Sequence, residues 1–449
     1  MDNLLSIVQY ILNLGPSVML PLALTIIGII FGQGFSKAFR SGITIGIGFV
    51  GINLVINLLV NNLGPAAQAM VDRFGLELQV IDVGWPAAAA ISWASPVAAF
   101  IIPLALIVNL IMLVTRTTKT MDIDIWNYWH FAATAAFVYV VTNGNVVLAL
   151  LAAIIREVIV LKIADWTAPM VQNFFKLEGI SLPTGSTVAY AVLGIPLGKL
   201  IGRIPGLKDI KADPETIQKR FGIFGEPMMM GLVLGLALGI LAGYDFAKIT
   251  QIGISMAAVM LLMPRMVRIL MEGLIPFSES VREFLQKRFK NASDLYIGLD
   301  AAVVVGHPSV IATALILIPI TVFLAVLLPG NKVLPFGDLA TIVFYIAFIV
   351  GSTNGNIIHS VLTGVVLMAT ALYMATDLAP LHTMMAQQAK FAIPEGTSLI
   401  SSLDEGGNLL NWAIIKIFEL QWGWIIFAAI AAIGLIVYLT NRNKKSVES

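Results

Sequence analysis

The sequence predicts an all-α integral membrane protein. It is expected to have about eleven transmembrane helices, in two inverted five-helix repeats with re-entrant hairpins, plus a final helix. Three observations carry that prediction. Of 449 residues, 58% are hydrophobic and only 12% charged, with a mean hydropathy of +0.90; that is about half the charge share of a soluble domain. Runs of about 20 apolar residues recur along the whole chain, the length a helix needs to cross a bilayer. The chain also matches itself at an offset of 211 residues.

In that register Pro16, Met19, Gly28, Ile29, Gly32, Phe35, Lys37, Gly42 and Ile43 meet Pro227, Met230, Gly239, Ile240, Gly243, Phe246, Lys248, Gly253 and Ile254. Nine identities over positions 16 to 43 exceed the roughly two or three expected by chance from such a composition. Leu63 and Pro65 meet Leu274 and Pro276, and Thr142-Asn143-Gly144-Asn145 meets Thr353-Asn354-Gly355-Asn356. Ala164, Ala168 and Pro169 meet Ala375, Ala379 and Pro380, and Pro183 and Gly185 meet Pro394 and Gly396. The stretch near 84–130 drifts by a few residues. Matches on Gly, Pro, Asn and Lys at one offset indicate duplication rather than shared hydrophobicity.

Candidate spans lie near 14–36, 41–63, 97–115, 126–148, and 146–163 or 185–200. Their counterparts are 226–244, 251–275, 311–329, 339–352, and 356–374 or beyond; an unpaired apolar stretch covers 422–440. The corresponding division is a first repeat over 1–200, a cytoplasmic connection over 201–221, a second repeat over 222–410, and a last helix with tail over 411–449. An odd number of crossings per copy inverts the second copy, so basic residues should mark opposite ends of the two copies. Lys37 and Arg40 follow the first span, whereas its copy ends in Asp245 and Lys248. Asp72, Arg73, Glu77 and Asp82 follow the second, whereas its copy carries Arg282, Lys287, Arg288 and Lys290. Lys199, Arg203, Lys208, Lys211, Lys219 and Arg220 fill the connection, and Arg442, Lys444 and Lys445 the tail. These loops share one face if the N-terminus is outside and the C-terminus cytoplasmic. The first residues, MDNLLSIVQY, lack a basic n-region, so no cleaved signal is expected.

Some segments are too broken to span. Residues 278–290 place Val281, Phe284, Leu285 and Phe289 on one helical face, which suits a helix lying in the membrane interface. The Gly/Pro-punctuated stretches 81–96, 181–188, 295–309 and 391–398 suit re-entrant tips, because non-helical backbone persists at membrane depth only where protein buries it or it lines a cavity. Thr-Asn-Gly-Asn is either a helix break presenting amides to a substrate or a turn.

Ionisable residues in apolar context are candidates for function. Asp300, in GLDAAVVVGHP, either accepts hydroxyl hydrogen bonds from a polyol or caps a helix. His130, in WNYWHFAAT, either bonds a substrate hydroxyl or is a satisfied structural histidine. His307, which precedes Pro308, is either a further substrate contact or a turn residue. Gly185, Ser186 and Thr187 form a tip that offers hydroxyls. Trp93, with Trp85, either stacks on the C–H face of a sugar alcohol or anchors at the interface.

Several classes are excluded. A net charge of +1 gives no sign of nucleic acid as a partner, and the absence of cysteine removes disulfides, thiolate metal sites and a cysteine nucleophile. The four histidines are scattered, so no metal site and no cofactor are expected. Gly194-Ile-Pro-Leu-Gly198-Lys199 is one residue short of a phosphate-binding loop and lacks its Ser/Thr. Solute transport is the function the pattern implies. Composition leaves its driving force open between ion coupling and chemical trapping by a partner.

The strings GIGFVGINLVI, IDVGWP, WASP, DIWNYWH, FGIFGEP, LAGYDF, AAVMLLMPR, IGLD, VLPFGDLATI and LHT, between about residues 10 and 420, resemble the galactitol-type enzyme IIC permease subunits of the bacterial phosphoenolpyruvate-dependent phosphotransferase system. That resemblance, to the ascorbate–galactitol superfamily, implies eleven helices, inverted repeats, a homodimer in the bacterial cell membrane and elevator-like movement of a mobile core. It implies a sugar alcohol substrate phosphorylated by the phosphocysteine of a separate IIB protein, itself charged by IIA, so that this chain is no enzyme on its own. It also implies substrate contacts at His130, Asp300 and the tip around Gly185, Ser186 and Thr187. Galactitol-type members carry Pro-His-Gly-Thr-Ser at that tip, whereas this chain reads Pro183-Thr184-Gly185-Ser186-Thr187. The Gly351–Asn356 region differs too, so a pentitol or another hexitol stands beside galactitol. An ion-coupled polyol transporter using Asp300 is the alternative, and a channel-like membrane scaffold a third reading.

Overall fold

The computed structural model describes residues 21–22, 25–26, 28–29, 32–73, 80–210, 212–216, 226–288, 295–335, 337–389, 391 and 399–419. The first copy runs α1 (Phe35–Arg73), β1 (Val80–Asp82), α2 (Gly84–Trp93), α3 (Ala98–Val114), β2 (Thr120–Asp122), α4 (Trp129–Val141), α5 (Val146–Phe175), β3 (Ile180–Ser181) and α6 (Gly185–Ile201). Then follow α7 (Pro227–Leu241), α8 (Phe246–Arg288), β4 (Tyr296–Gly298), α9 (Ala302–Val305), α10 (Pro308–Leu327), β5 (Val333–Leu334), α11 (Ile342–Ser352), α12 (Ile357–Gln388), β6 (Leu399–Ser401) and α13 (Leu409–Phe418). From α1 to α6 and from α8 to α13 the order of elements is the same. The starts of α1 and α8, and of α5 and α12, lie 211 residues apart.

The non-helical segments of the two copies interlock. β1 lies between β5 and β6, all parallel, with Val80 opposite Val333 and Leu399. β4 lies between β2 and β3, again parallel, with Ile297 opposite Met121 and Ile180. Each sheet therefore takes its central strand from one copy and its flanking strands from the other. Pairing satisfies backbone groups that lie in an apolar interior, where each unpaired one is costly. Of the four stretches expected to be tips, three thus enter the protein as a strand followed by a helix. The fourth, 391–398, lies outside the described residues apart from Phe391.

Two described helices, α10 and α12, are long and apolar enough to cross a bilayer on their own. Where spans were expected over 126–148 and 339–352, the helices are α4 and α11, preceded by 3-10 turns Ile125–Tyr128 and Leu339–Thr341. Thirteen residues make α4 about 20 Å long, short of a hydrocarbon core of about 30 Å. Both helices are instead buried along nearly their whole length, as helices apolar on every side should be. They pack on α5 and α6 at the centre. The alternatives 146–163 and 185–200 are both realised, as α5 and α6, and α5 is longer than expected at 30 residues. Residues 278–288 do not form a separate interfacial helix; they continue α8 without a break.

Thr-Asn-Gly-Asn is a turn in both copies. Asn143 and Gly144, like Asn354 and Gly355, have positive φ, a conformation Gly and Asn adopt most readily. The last Asn of each then caps the next helix: Asn145 accepts from Leu148 N and Asn356 from His359 N, both at 3.1 Å.

Candidate functional site

Two tips meet beside His130. The first is the turn after β3, where Thr184 precedes α6 with extended backbone and its carbonyl takes Thr187 N and Val188 N at 3.1 and 3.0 Å. The second is Ser402–Asn408, between β6 and α13. Asn408 caps α13 by accepting from Asn411 N, and its Nδ2 donates to Gly185 O at 3.3 Å, joining the tips. The α6 and α13 starts stand further apart than the 211-residue register, so the second tip is the longer. Its extra residues include Asp404, Glu405, Gly406 and Gly407.

His130 sits in the first turn of α4 and is 1% exposed. Its Nδ1 is bonded by Glu405 of the second tip, and its Nε2 lies 3.3 Å from Ser186 Oγ of the first. Gly185 presses against the ring: a Cβ there would stand 2.5 Å from His130 Cγ, so only glycine fits. Arg156, on α5, is fully buried and grips Glu405 with two bonds, Nη1 to Oε2 at 2.7 Å and Nη2 to Oε1 at 3.0 Å. Its Nη1 also donates to His130 O and Thr134 Oγ1, at 2.7 and 2.6 Å. Thr134 donates to Asn411 Oδ1, and Asn411 Nδ2 to Glu405 O, at 2.8 and 2.9 Å.

Asp300 follows the central strand β4. Its Oδ1 accepts from Ala302 N, the first residue of α9, at 2.9 Å. The next residue ties this segment to the first tip, since Ala301 N donates to Thr184 Oγ1 at 2.7 Å. Asp124 and Asn127 are its polar neighbours. In the other sheet Asp82 holds the corresponding place. Its carboxylate accepts from Gly84 N and Leu403 N at 3.1 and 3.3 Å, and from Asp338 N at 2.9 Å. Asp338 in turn takes Trp85 N and Ser402 Oγ, both at 2.6 Å, and Asp404 N at 2.9 Å. The carboxylates thus hold the tips in shape. Buried Thr187 Oγ1, Asp404 Oδ1 and Asp124 Oδ1 find no hydrogen-bond partner among the described residues.

The structure therefore gathers His130, Gly185, Ser186 and Thr187, with Asp300 one residue from a direct link to them. No hydrogen bond joins Trp93 or His307 to this cluster among the described residues. Trp93 is buried at the end of α2 within the apolar core. His307 caps α10, accepting from Ser309 N at 3.2 Å, and packs against Phe174 and Phe175. A cavity of ≈ 520 Å³ opens beside Phe174, between Trp166, Lys176, Lys199 and Asn354. None of the expected site residues lines it. Reading the sequence missed Glu405, Asp404 and Arg156. Arg156-Glu157 inside the apolar run 146–163 was the available signal. For Glu405 the 211-residue register pointed to 391–398 instead. No group of His, Asp and Glu among the described residues is arranged to hold a metal ion.

Such a molecule is a helical membrane protein of two interlocked copies of one unit, with polar tips buried between them. The profile of the family described as "PTS system sugar-specific permease component" matches residues 10–396. The chain is 42% identical over 441 residues to the galactitol-specific EIIC component of this system in Escherichia coli K12, covering 98% of this chain and 96% of that one. The same figures hold for the galactitol-specific EIIC component of Escherichia coli O157:H7. The chain belongs to the sugar-specific permease family of the phosphotransferase system.

Proposed function

We propose that this chain carries galactitol, or a sugar alcohol close to it, inward across the bacterial cell membrane for phosphorylation by a separate IIB protein charged by IIA. The meeting of two tips from two copies around His130 is the observation that carries the reading. It collects an imidazole, the Ser186 and Thr187 hydroxyls and nearby carboxylates in an enclosed place. A polyol, which both donates and accepts at every hydroxyl, is matched by such a mixture. Identity of 42% to galactitol-specific relatives across nearly the whole length supports the substrate class. Galactitol contacts are assigned to His130, Gly185, Ser186, Thr187 and Asp300, with Trp93 and His307 as outlying contacts; His307 also caps α10.

The full chain is read as eleven transmembrane helices in two inverted copies, over 1–200 and 222–410, joined by the 201–221 connection and followed by the last helix and tail of 411–449. The N-terminus is outside and the C-terminus cytoplasmic, and two chains pair as a homodimer. The mutual packing of α1, α7 and α8, set beside the packing of α4, α5 and α6 with α11 and α12, supports a static scaffold and a core that moves as an elevator. Phosphoryl transfer stays with IIB, in keeping with a chain that has no cysteine.

The test is uptake of labelled galactitol by cells lacking their own galactitol system. Accumulation of galactitol phosphate should require this chain together with IIA and IIB. Accumulation of unmodified galactitol driven by an imposed ion gradient, without IIB, overturns the reading.

A further inference from the structure

We infer that Glu405 and Arg156 are positioning residues that hold the His130 ring with its proton on Nδ1, leaving Nε2 as a bare acceptor for a hydroxyl of the solute. The inference rests on His130 being a substrate contact, as proposed above. Arg156 engages both oxygens of Glu405 at 2.7 and 3.0 Å. A carboxylate in a two-point pair with guanidinium is ionised and only accepts. The hydrogen shared between Glu405 and His130 Nδ1 therefore belongs to the imidazole. Arg156 already neutralises Glu405, and all three side chains are at most 1% exposed. A second positive charge on the ring would face the cost of burial. The ring is neutral, and the hydrogen bond at one nitrogen fixes the state of the other. Ser186 Oγ lies 3.3 Å from Nε2, and its one hydrogen is shared between that nitrogen and the Asp404 carboxylate beside it.

The consequence is directional. At His130 the site reads a hydroxyl hydrogen, so it selects a solute that donates there. The groups responsible come from both copies: His130 and Arg156 from the first, Glu405 from the second copy's tip. Selectivity at this point exists only while the tip is seated.

Nitrogen-15 NMR of the full-length protein in lipid, labelled at histidine, tests this directly. The chain has four histidines, and a His130→Gln variant assigns the signal. Expected are a protonated Nδ1 and an unprotonated Nε2, with Nε2 shifting when galactitol is added. A proton on Nε2 in the unliganded protein overturns the inference. An unprotonated Nε2 that ignores bound galactitol overturns instead the reading of His130 as a contact. The double variant Arg156→Met/Glu405→Leu removes both charges together, which spares the fold a lone buried ion. In it the proton should redistribute between the nitrogens and galactitol affinity should fall about tenfold or more. Retained tautomer and affinity in the folded double variant also overturn the inference.

Discussion

At Gly185 the backbone of one tip touches the imidazole of His130 so closely that a methyl group has nowhere to go. Gly185→Ala should therefore displace the ring or the tip, at a cost of about 1–3 kcal/mol. The expected result is a loss of galactitol binding by calorimetry of tenfold or more, with the protein still inserted in the membrane. Asp300 makes a different prediction. Asp300→Asn keeps an oxygen for Ala302 N, so the turn into α9 survives. Galactitol binding should then weaken more than membrane expression falls; an equal loss of both assigns Asp300 to structure alone. His130, Asp300 and the Gly185 tip were legible in the sequence because each is a polar or broken feature inside an apolar context. Glu405 was not. Its tip has lengthened in one copy, so no repeat register leads to it, and its partners His130 and Arg156 stand far away in the chain. Only folding brings the three together.

Among the elements, the paired Thr-Asn-Gly-Asn turns show how the two readings of a motif are separated. Positive φ at Asn and Gly followed by a capping Asn makes each motif a turn that starts the next helix. Asn145→Ala should cost about 1 kcal/mol of stability, the usual value of an N-cap, and leave galactitol affinity unchanged. Asn356→Ala should cost more, because Asn356 Nδ2 also holds Ile210 O at 2.6 Å. Thermal unfolding in detergent measures both, and a selective loss of galactitol affinity restores the substrate reading. The long helices were legible from their apolar runs, yet α4 was drawn too long, over 126–148, while 339–352 is matched by the 3-10 turn and α11 together. Hydropathy does not distinguish a helix buried in protein from one facing lipid. The strands were invisible to any pattern of period two, being two or three residues each and paired only across the repeats.

For the whole molecule, the interlock of the two sheets has the widest consequence. Each half supplies the central strand of one sheet and the flanks of the other. Residues 1–221 produced alone should lack both a partner for β1 and a centre for β2 and β3. That half should be degraded in the membrane, whereas the two halves made together should copurify and resist protease. A first half that is protease-resistant by itself contradicts this account. The duplication was readable from the sequence at one offset. The exchange of strands was not, because similarity between copies says nothing about which copy a strand pairs with.

Labelling of a single introduced thiol tests the enclosure of a sugar alcohol between the tips most directly. The chain has no cysteine of its own, so Ser186→Cys creates the one reactive site. Galactitol at saturating concentration should slow its modification by a small charged thiol reagent at least severalfold, and a solute without hydroxyls should not. Modification at the same rate with and without galactitol, in protein that calorimetry shows to bind it, contradicts the placement of the substrate between the two tips.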